Sequence, residues 1–140
     1  MMNLKNKVVF YQIKNVKTKL IKIIQTAMLH FERKEKLLIQ VSDEASLNYV
    51  DQLLWKVPIE SFLPHRVSDK PIDDFIVITK AQENLNKAPY LFNLSGDIID
   101  LDTSYKIIYD FDDFTSPKKQ EKSKKRFEIY RAAGFKIESN

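Results

Sequence analysis

Apolar positions follow two rhythms along this chain. Val8-Val9-Phe10-Tyr11-Gln12-Ile13 is nearly continuous and rich in β-branched and aromatic residues, which predicts a buried strand. Leu20, Ile24, Ala27, Met28 and Phe31 then recur at the spacing of one helix face, predicting an amphipathic helix that Thr18 caps and that ends near Glu35. Leu37-Leu38-Ile39-Gln40-Val41 is short and almost wholly apolar, as a strand covered on both faces should be. Ser42 or Asp43 caps a second helix with Leu47, Val50 and Leu54 on its inner stripe, and Pro58 stops it. Phe75-Ile76-Val77-Ile78, Tyr90-Leu91-Phe92-Asn93-Leu94 and Lys106-Ile107-Ile108-Tyr109 predict three more strands, and Ser95-Gly96-Asp97 is a turn. Asp97 to Ser104 fits neither rhythm. A final helix runs from about Pro117 to Ala133, with Ser116 as its cap and Pro117 in its first turn. Gly134 should end it in a left-handed cap, letting Phe135 fold back towards Tyr130.

Strand, helix, strand, helix in sequence favours right-handed crossovers and parallel pairing. The expected fold is α/β: a three-layer, doubly wound, mainly parallel sheet of about five strands with helices on both faces. No repeat, low-complexity tract or linker interrupts residues 1–140, so one domain is expected.

Composition narrows the function. With 44% hydrophobic residues the chain can bury a real core, which excludes disorder. It has no cysteine, so disulfides, thiolate metal ligands and a cysteine nucleophile are excluded together. No run approaches the ~20 apolar residues of a membrane span, and the first apolar run is too short for a secretory signal, so a cytoplasmic location is expected. Net charge is only +4, but basic residues crowd the ends while much of the acid lies between Asp69 and Asp113, which can create a local anion-attracting surface.

Enzymatic signatures are thin. With two glycines, Gly96 and Gly134, the chain cannot build a dinucleotide fingerprint or a Walker loop, so no nucleotide cofactor is expected. Of the two histidines, His30 lies beside the apolar stripe of the first helix and reads as structural, while His65 follows Pro64 in a loop. Asp110, Asp112 and Asp113 sit at the carboxyl end of a predicted strand, with Asp97, Asp100 and Asp102 shortly before. Converging carboxylates there could hold Mg²⁺ for nuclease chemistry, with Asp110 and Asp112 as ligands. The plainer reading is solvated loop carboxylates or partners for neighbouring lysines, and on it the chain has no metal site.

Two segments look like binding surfaces. Lys118, Lys119, Lys122, Lys124, Lys125 and Arg126 place six cations in the first three turns of the last helix, where the helix dipole disfavours them. With Gln120, Ser123, Phe127 and Tyr130 inward, the cations should point outward, either as a solubilising face or as a dock for an anionic partner. The second segment, Leu54 to His65, joins the only tryptophan, Trp55, to Phe62-Leu63 and to Pro58 and Pro64. Its rings either plug the core or anchor a partner on a stiffened loop.

With these segments in view, the chain resembles the chi subunit family of bacterial DNA polymerase III over nearly its whole length. The resemblance rests on the Phe10-Tyr11 strand, on Leu54-Trp55 with Pro58 and Glu60-Ser61-Phe62-Leu63-Pro64-His65, and on Tyr130-Arg131-Ala132-Ala133-Gly134-Phe135. It implies a non-catalytic adaptor that binds the acidic carboxyl-terminal tail of single-stranded DNA-binding protein and the small psi subunit of the clamp loader. By that likeness Trp55, Phe62 and Pro64 face psi, while Lys124, Phe127, Tyr130, Arg131 and Gly134 receive the tail. Where family members can carry a Tyr-Lys pair this sequence has Phe127-Glu128, exchanging a cation for an anion. Direct binding of single-stranded nucleic acid by the lysines and aromatics is the alternative, with the Mg²⁺ nuclease behind it.

Overall fold

The computed structural model describes residues 6–56, 63–98 and 105–140. Its elements are β1 (Lys7–Ile13), α1 (Val16–Glu32), β2 (Leu37–Gln40), α2 (Glu44–Trp55), β3 (Arg66–Val67), β4 (Ile76–Thr79), β5 (Tyr90–Asn93), β6 (Ile107–Asp113), α3 (Pro117–Ala132) and β7 (Lys136–Ser139). The strands form one sheet in the order β3-β4-β2-β5-β6-β1-β7, and every pairing is parallel. The fold class is the expected one, but among the described residues the sheet has seven strands instead of about five. β3 is a two-residue edge strand with both side chains exposed. β7 is a four-residue edge strand with one large apolar residue, Ile137. Neither has an apolar rhythm of its own; each exists because a neighbouring strand offers it a ladder.

Alternation along the strands sorts the core into two halves. Val9, Ile13, Leu37, Ile39, Ile76, Ile78 and Phe111 pack with Ile23 and Ala27 of α1 and Leu47, Val50 and Leu54 of α2. Val8, Phe10, Leu38, Val77, Leu91 and Ile108 pack with Tyr130 of α3 and with Phe135. Every residue of β2 and β4 is buried, as expected of strands covered on both sides.

Helix ends follow local chemistry, with one correction. The cap of α1 is Asn15, whose side chain accepts the Thr18 amide; Thr18, expected as the cap, is already helical. Asp43 caps α2 and Ser116 caps α3 in the same way. Gly134 ends α3 at φ +95°, where the Phe135 amide donates to the Tyr130 carbonyl (3.1 Å) and the Gly134 amide to the Arg131 carbonyl (3.0 Å). This Schellman turn carries its usual apolar contact, the Phe135 ring meeting that of Tyr130 edge-on at 6.0 Å, and it launches β7.

Connections reverse direction between β6 and β1. From β1 the chain leaves through α1 towards β2 on one side, while from β6 it leaves through α3, on the opposite face, to β7 on the other. The crevice beyond the carboxyl ends of these two strands is where doubly wound sheets place their sites.

His30 lies sealed against the sheet. Its Nε2 meets the Tyr109 hydroxyl at 2.8 Å, its Nδ1 has no hydrogen-bond partner among the described residues, and the Glu35 carboxylate is 3.9 Å away. Burial lowers its pKa below the ordinary 6.5, outweighing the upward pull of Glu35. Below pH 6.5 the unfolded chain therefore takes up a proton that the folded chain resists, and stability falls as the pH is lowered. Urea unfolding at a series of pH values should show this loss, and His30→Gln should remove that part of it.

Candidate functional site

The end of the sheet around α3 begins with a charge in the core. Residues 108, 110 and 112 of β6 face α3, so Asp110 occupies a position that would otherwise be apolar. Its carboxylate is fully buried and fully engaged. One oxygen accepts the Phe111 amide (2.7 Å); the other accepts Arg126 Nε (3.0 Å) and the Tyr130 hydroxyl (2.8 Å). Arg126 also donates to the carbonyls of Gly96 (2.8 Å) and Phe111 (2.9 Å), and Asn93 Nδ2 donates to the Tyr130 hydroxyl (3.0 Å). Ser123 donates to the Lys119 carbonyl and accepts the Asp113 amide. Burial pushes the Asp110 carboxyl up, and Arg126, Tyr130 and the Phe111 amide oppose that shift.

One sequence expectation changes here. The inward face of α3 is Ser123, Arg126 and Tyr130, with Phe127 only half-buried, so Arg126 is not among the outward cations. The physical reason is Asp110: a carboxylate in the core requires a counter-charge, and Arg126 is the cation of α3 that reaches it. Asp110, Asp112 and Asp113 do not converge, and Asp100 and Asp102 lie outside the described residues. Asp110 is held by Arg126, while Asp113 faces α1, accepting Lys19 Nζ (2.7 Å) and the Thr115 amide and hydroxyl, which hold its pKa below the usual value against burial. Among the described residues no three His, Cys, Asp or Glu side chains are grouped to hold a metal.

Asp112 lines a groove beside α3. The groove, of about 230 Å³, runs between α3 and the ends of the strands, with Phe10, Asp112, Ser123, Lys124, Phe127, Glu128 and Ser139 on its walls. Phe127 and Phe10 form its apolar floor, their rings 6.0 Å apart. Burial raises the Asp112 carboxyl; Arg126 and Lys124 pull it down and Asp113 pushes it up.

The expected tail-site residues separate into walls and supports. Lys124 and Phe127 line the groove, and exposed Arg131 lies one turn beyond Phe127 on the same flank. Tyr130, at 1% exposure, is sealed beneath, with its ring 5.8 Å from that of Phe10. Gly134 is exposed and needed for its backbone conformation, since a Cβ there would meet nothing within 4 Å. The other cations split away: Lys122 and Lys125 flank a separate hollow with Asp97, Ile98 and Ile129, and Lys122 lies 3.6 Å from Asp97.

Of the expected psi-facing residues, Trp55 is 56% exposed, with its ring 4.4 Å from that of His65. It borders a hollow with Pro64, Arg66 and Phe75, at the β3 edge of the sheet and far along it from α3. Phe62 lies outside the described residues. His65 is held by the Leu63 carbonyl (3.0 Å) and the Asp51 carboxylate (2.9 Å), which fixes the ring against which Trp55 stands.

A fourth concavity, of about 420 Å³, fills the crevice where the connections reverse. Val16, Leu20, Val41, Leu94 and Phe111 make it largely apolar, and its buried charges are paired as Lys19–Asp113 and Arg126–Asp110. Arg126 and Asn93 were the site residues hardest to anticipate. Their signal is indirect: Ser123, Arg126 and Tyr130 share one helix face, opposite a strand position where an aspartate follows Ile108.

The pair between β6 and α3 can be tested by unfolding. Arg126→Met should cost about 3–5 kcal/mol in urea denaturation, because it leaves a buried carboxylate without a counter-charge. Tyr130→Phe should cost about 1–3 kcal/mol, and Asp110→Leu with Arg126→Met should cost less than Arg126→Met alone.

The family model for "DNA polymerase III chi subunit, HolC" matches residues 6–138. The DNA polymerase III subunit chi of Escherichia coli (strain K12) is 26% identical over 109 residues, covering 74% of this chain and 71% of the relative. The family match spans both the Trp55 edge and the α3 groove. The chain belongs to the DNA polymerase III chi subunit family.

Proposed function

We propose that this chain is a non-catalytic accessory subunit that works in the cytoplasm during DNA replication. It docks the acidic carboxyl-terminal tail of single-stranded DNA-binding protein at the α3 groove and is tied to the clamp loader by psi at the Trp55 edge. The observation that carries the tail reading is the juxtaposition in one groove of Lys124 with Phe10 and Phe127, a cation beside an apolar slot. An acidic peptide with an apolar end needs both. Arg131 extends the positive flank, and Tyr130 and Gly134 act from behind, one supporting the floor and the other setting the turn into β7. The psi reading is supported by an exposed indole held against a pinned imidazole on an edge that the described chain leaves open.

Direct single-strand binding gains less support. The aromatics of α3 are Phe127, half-buried, and Tyr130, buried, so its lysines have no exposed ring beside them on that helix for a base to stack on.

Binding is tested by titrating a fluorescein-labelled acidic peptide ending in phenylalanine. It should bind with micromolar affinity that weakens with salt, and Lys124→Ala with Arg131→Ala should weaken it about 3–10-fold. Unchanged affinity in that double variant, or tighter binding of oligo(dT) than of the peptide, sinks the tail reading. Trp55→Ala should abolish capture of psi while leaving peptide affinity unchanged; loss of both would contradict two separate surfaces.

A further inference from the structure

We infer that Asp112 and Glu128 make the α3 groove selective for an uncharged apolar side chain, so that an acidic peptide seats its apolar residue there and keeps its carboxylates outside. This rests on the reading that the groove is the docking point, and it specifies how docking is achieved.

The groove brings one ammonium, Lys124, together with two carboxylates, Asp112 and Glu128. Its walls therefore carry a net negative charge, although the helix that forms one of them is strongly basic. Neither carboxylate is spent in an ion pair among the described residues, in contrast to Asp110 and Asp113, which are held by Arg126 and Lys19. Asp112 comes from β6 on the sheet side and Glu128 from α3, so the two face the opening from different elements. The rings of Phe10 and Phe127 line the same groove.

A peptide carboxylate brought to the Phe10–Phe127 floor loses water and meets the two like charges of Asp112 and Glu128 against the one opposite charge of Lys124. An apolar side chain loses nothing there and covers Phe10 and Phe127. Lys124, at the wall, and Arg131, one turn beyond Phe127, remain available to the peptide's carboxylates once its apolar residue is seated. The two acids thus set the register of the bound peptide and restrain its affinity.

The test uses two probes, N-acetyl-Asp-Asp-Asp-Gly-Phe and the same peptide ending in glutamate, titrated against the wild type, Asp112→Asn, Glu128→Gln, their double variant and Lys124→Ala. Each single neutral variant should tighten the phenylalanine peptide about 2–5-fold, and the double variant should shrink the preference for phenylalanine over glutamate by a similar factor or more. An unchanged preference in the double variant, with Lys124→Ala still weakening the phenylalanine peptide, overturns the inference and leaves the docking reading standing. If Lys124→Ala changes nothing, both fall.

Discussion

A single buried ion pair decides how the last helix sits. Asp110 and Arg126 are both nearly inaccessible, and each has its remaining hydrogen-bonding capacity taken up by Tyr130, by the Phe111 amide and carbonyl, and by the Gly96 carbonyl. Such a pair adds little net stability over well-packed apolar residues, because both ions give up water to form it. Its force lies in what it forbids. Any rotation or slide of α3 that separates the partners leaves a charge stranded in the core, so the helix has one permitted register. The apolar face of α3 would not fix this alone, since its buried residues are Ser123, Arg126 and Tyr130.

Register has consequences at the surface. Successive residues of a helix turn by about 100°, so fixing Arg126 inward sends Lys124, Phe127, Glu128 and Arg131 to the β7 flank, and Lys122, Lys125 and Ile129 to the flank beside Asp97. The cations that look like one block in the sequence face different hollows: Lys124 the groove, Lys122 and Lys125 the hollow beside Asp97, and Lys119 the apolar crevice. Lys124 shares its hollow with the paired rings of Phe10 and Phe127. The Schellman turn at Gly134 completes that hollow by returning the chain as β7, which pairs with β1 and places Ser139 at the rim.

Much of this was legible before any coordinates. The three helices and the β1, β2, β4, β5 and β6 strands declare themselves through runs and periods that depend only on local burial. The Gly134 turn is legible because few residues other than glycine adopt positive φ. What escaped lies in pairings between distant segments. β3 and β7 have no rhythm to read, since an edge strand exposes most of its side chains and owes its form to the neighbour's ladder. Arg126 escaped because its company of lysines suggests solvent; only the facing Asp110, sixteen residues away, shows that one of the six must turn inward. At the other end of the sheet, Trp55 could not be placed from type alone, since an indole suits core and interface equally, and its exposure follows from the position of α2 beside the β3 edge.

The acidic stretch at the end of β6 shows how alternation divides what sequence puts together. Asp110, Asp112 and Asp113 look like a ligand cluster, yet adjacent strand residues point to opposite faces and alternate ones lie along the same face at different depths. Asp113 falls on the α1 side and closes the β6–α3 turn through Thr115 and Lys19. Asp110 falls on the α3 side at the depth of the core, where only a guanidinium makes it tolerable. Asp112 shares that side but lies one pleat nearer the strand end, where it meets the groove. Three like residues in four positions therefore have three duties: one fixes the helix, one fixes the turn, and the third is left to act on whatever enters the groove.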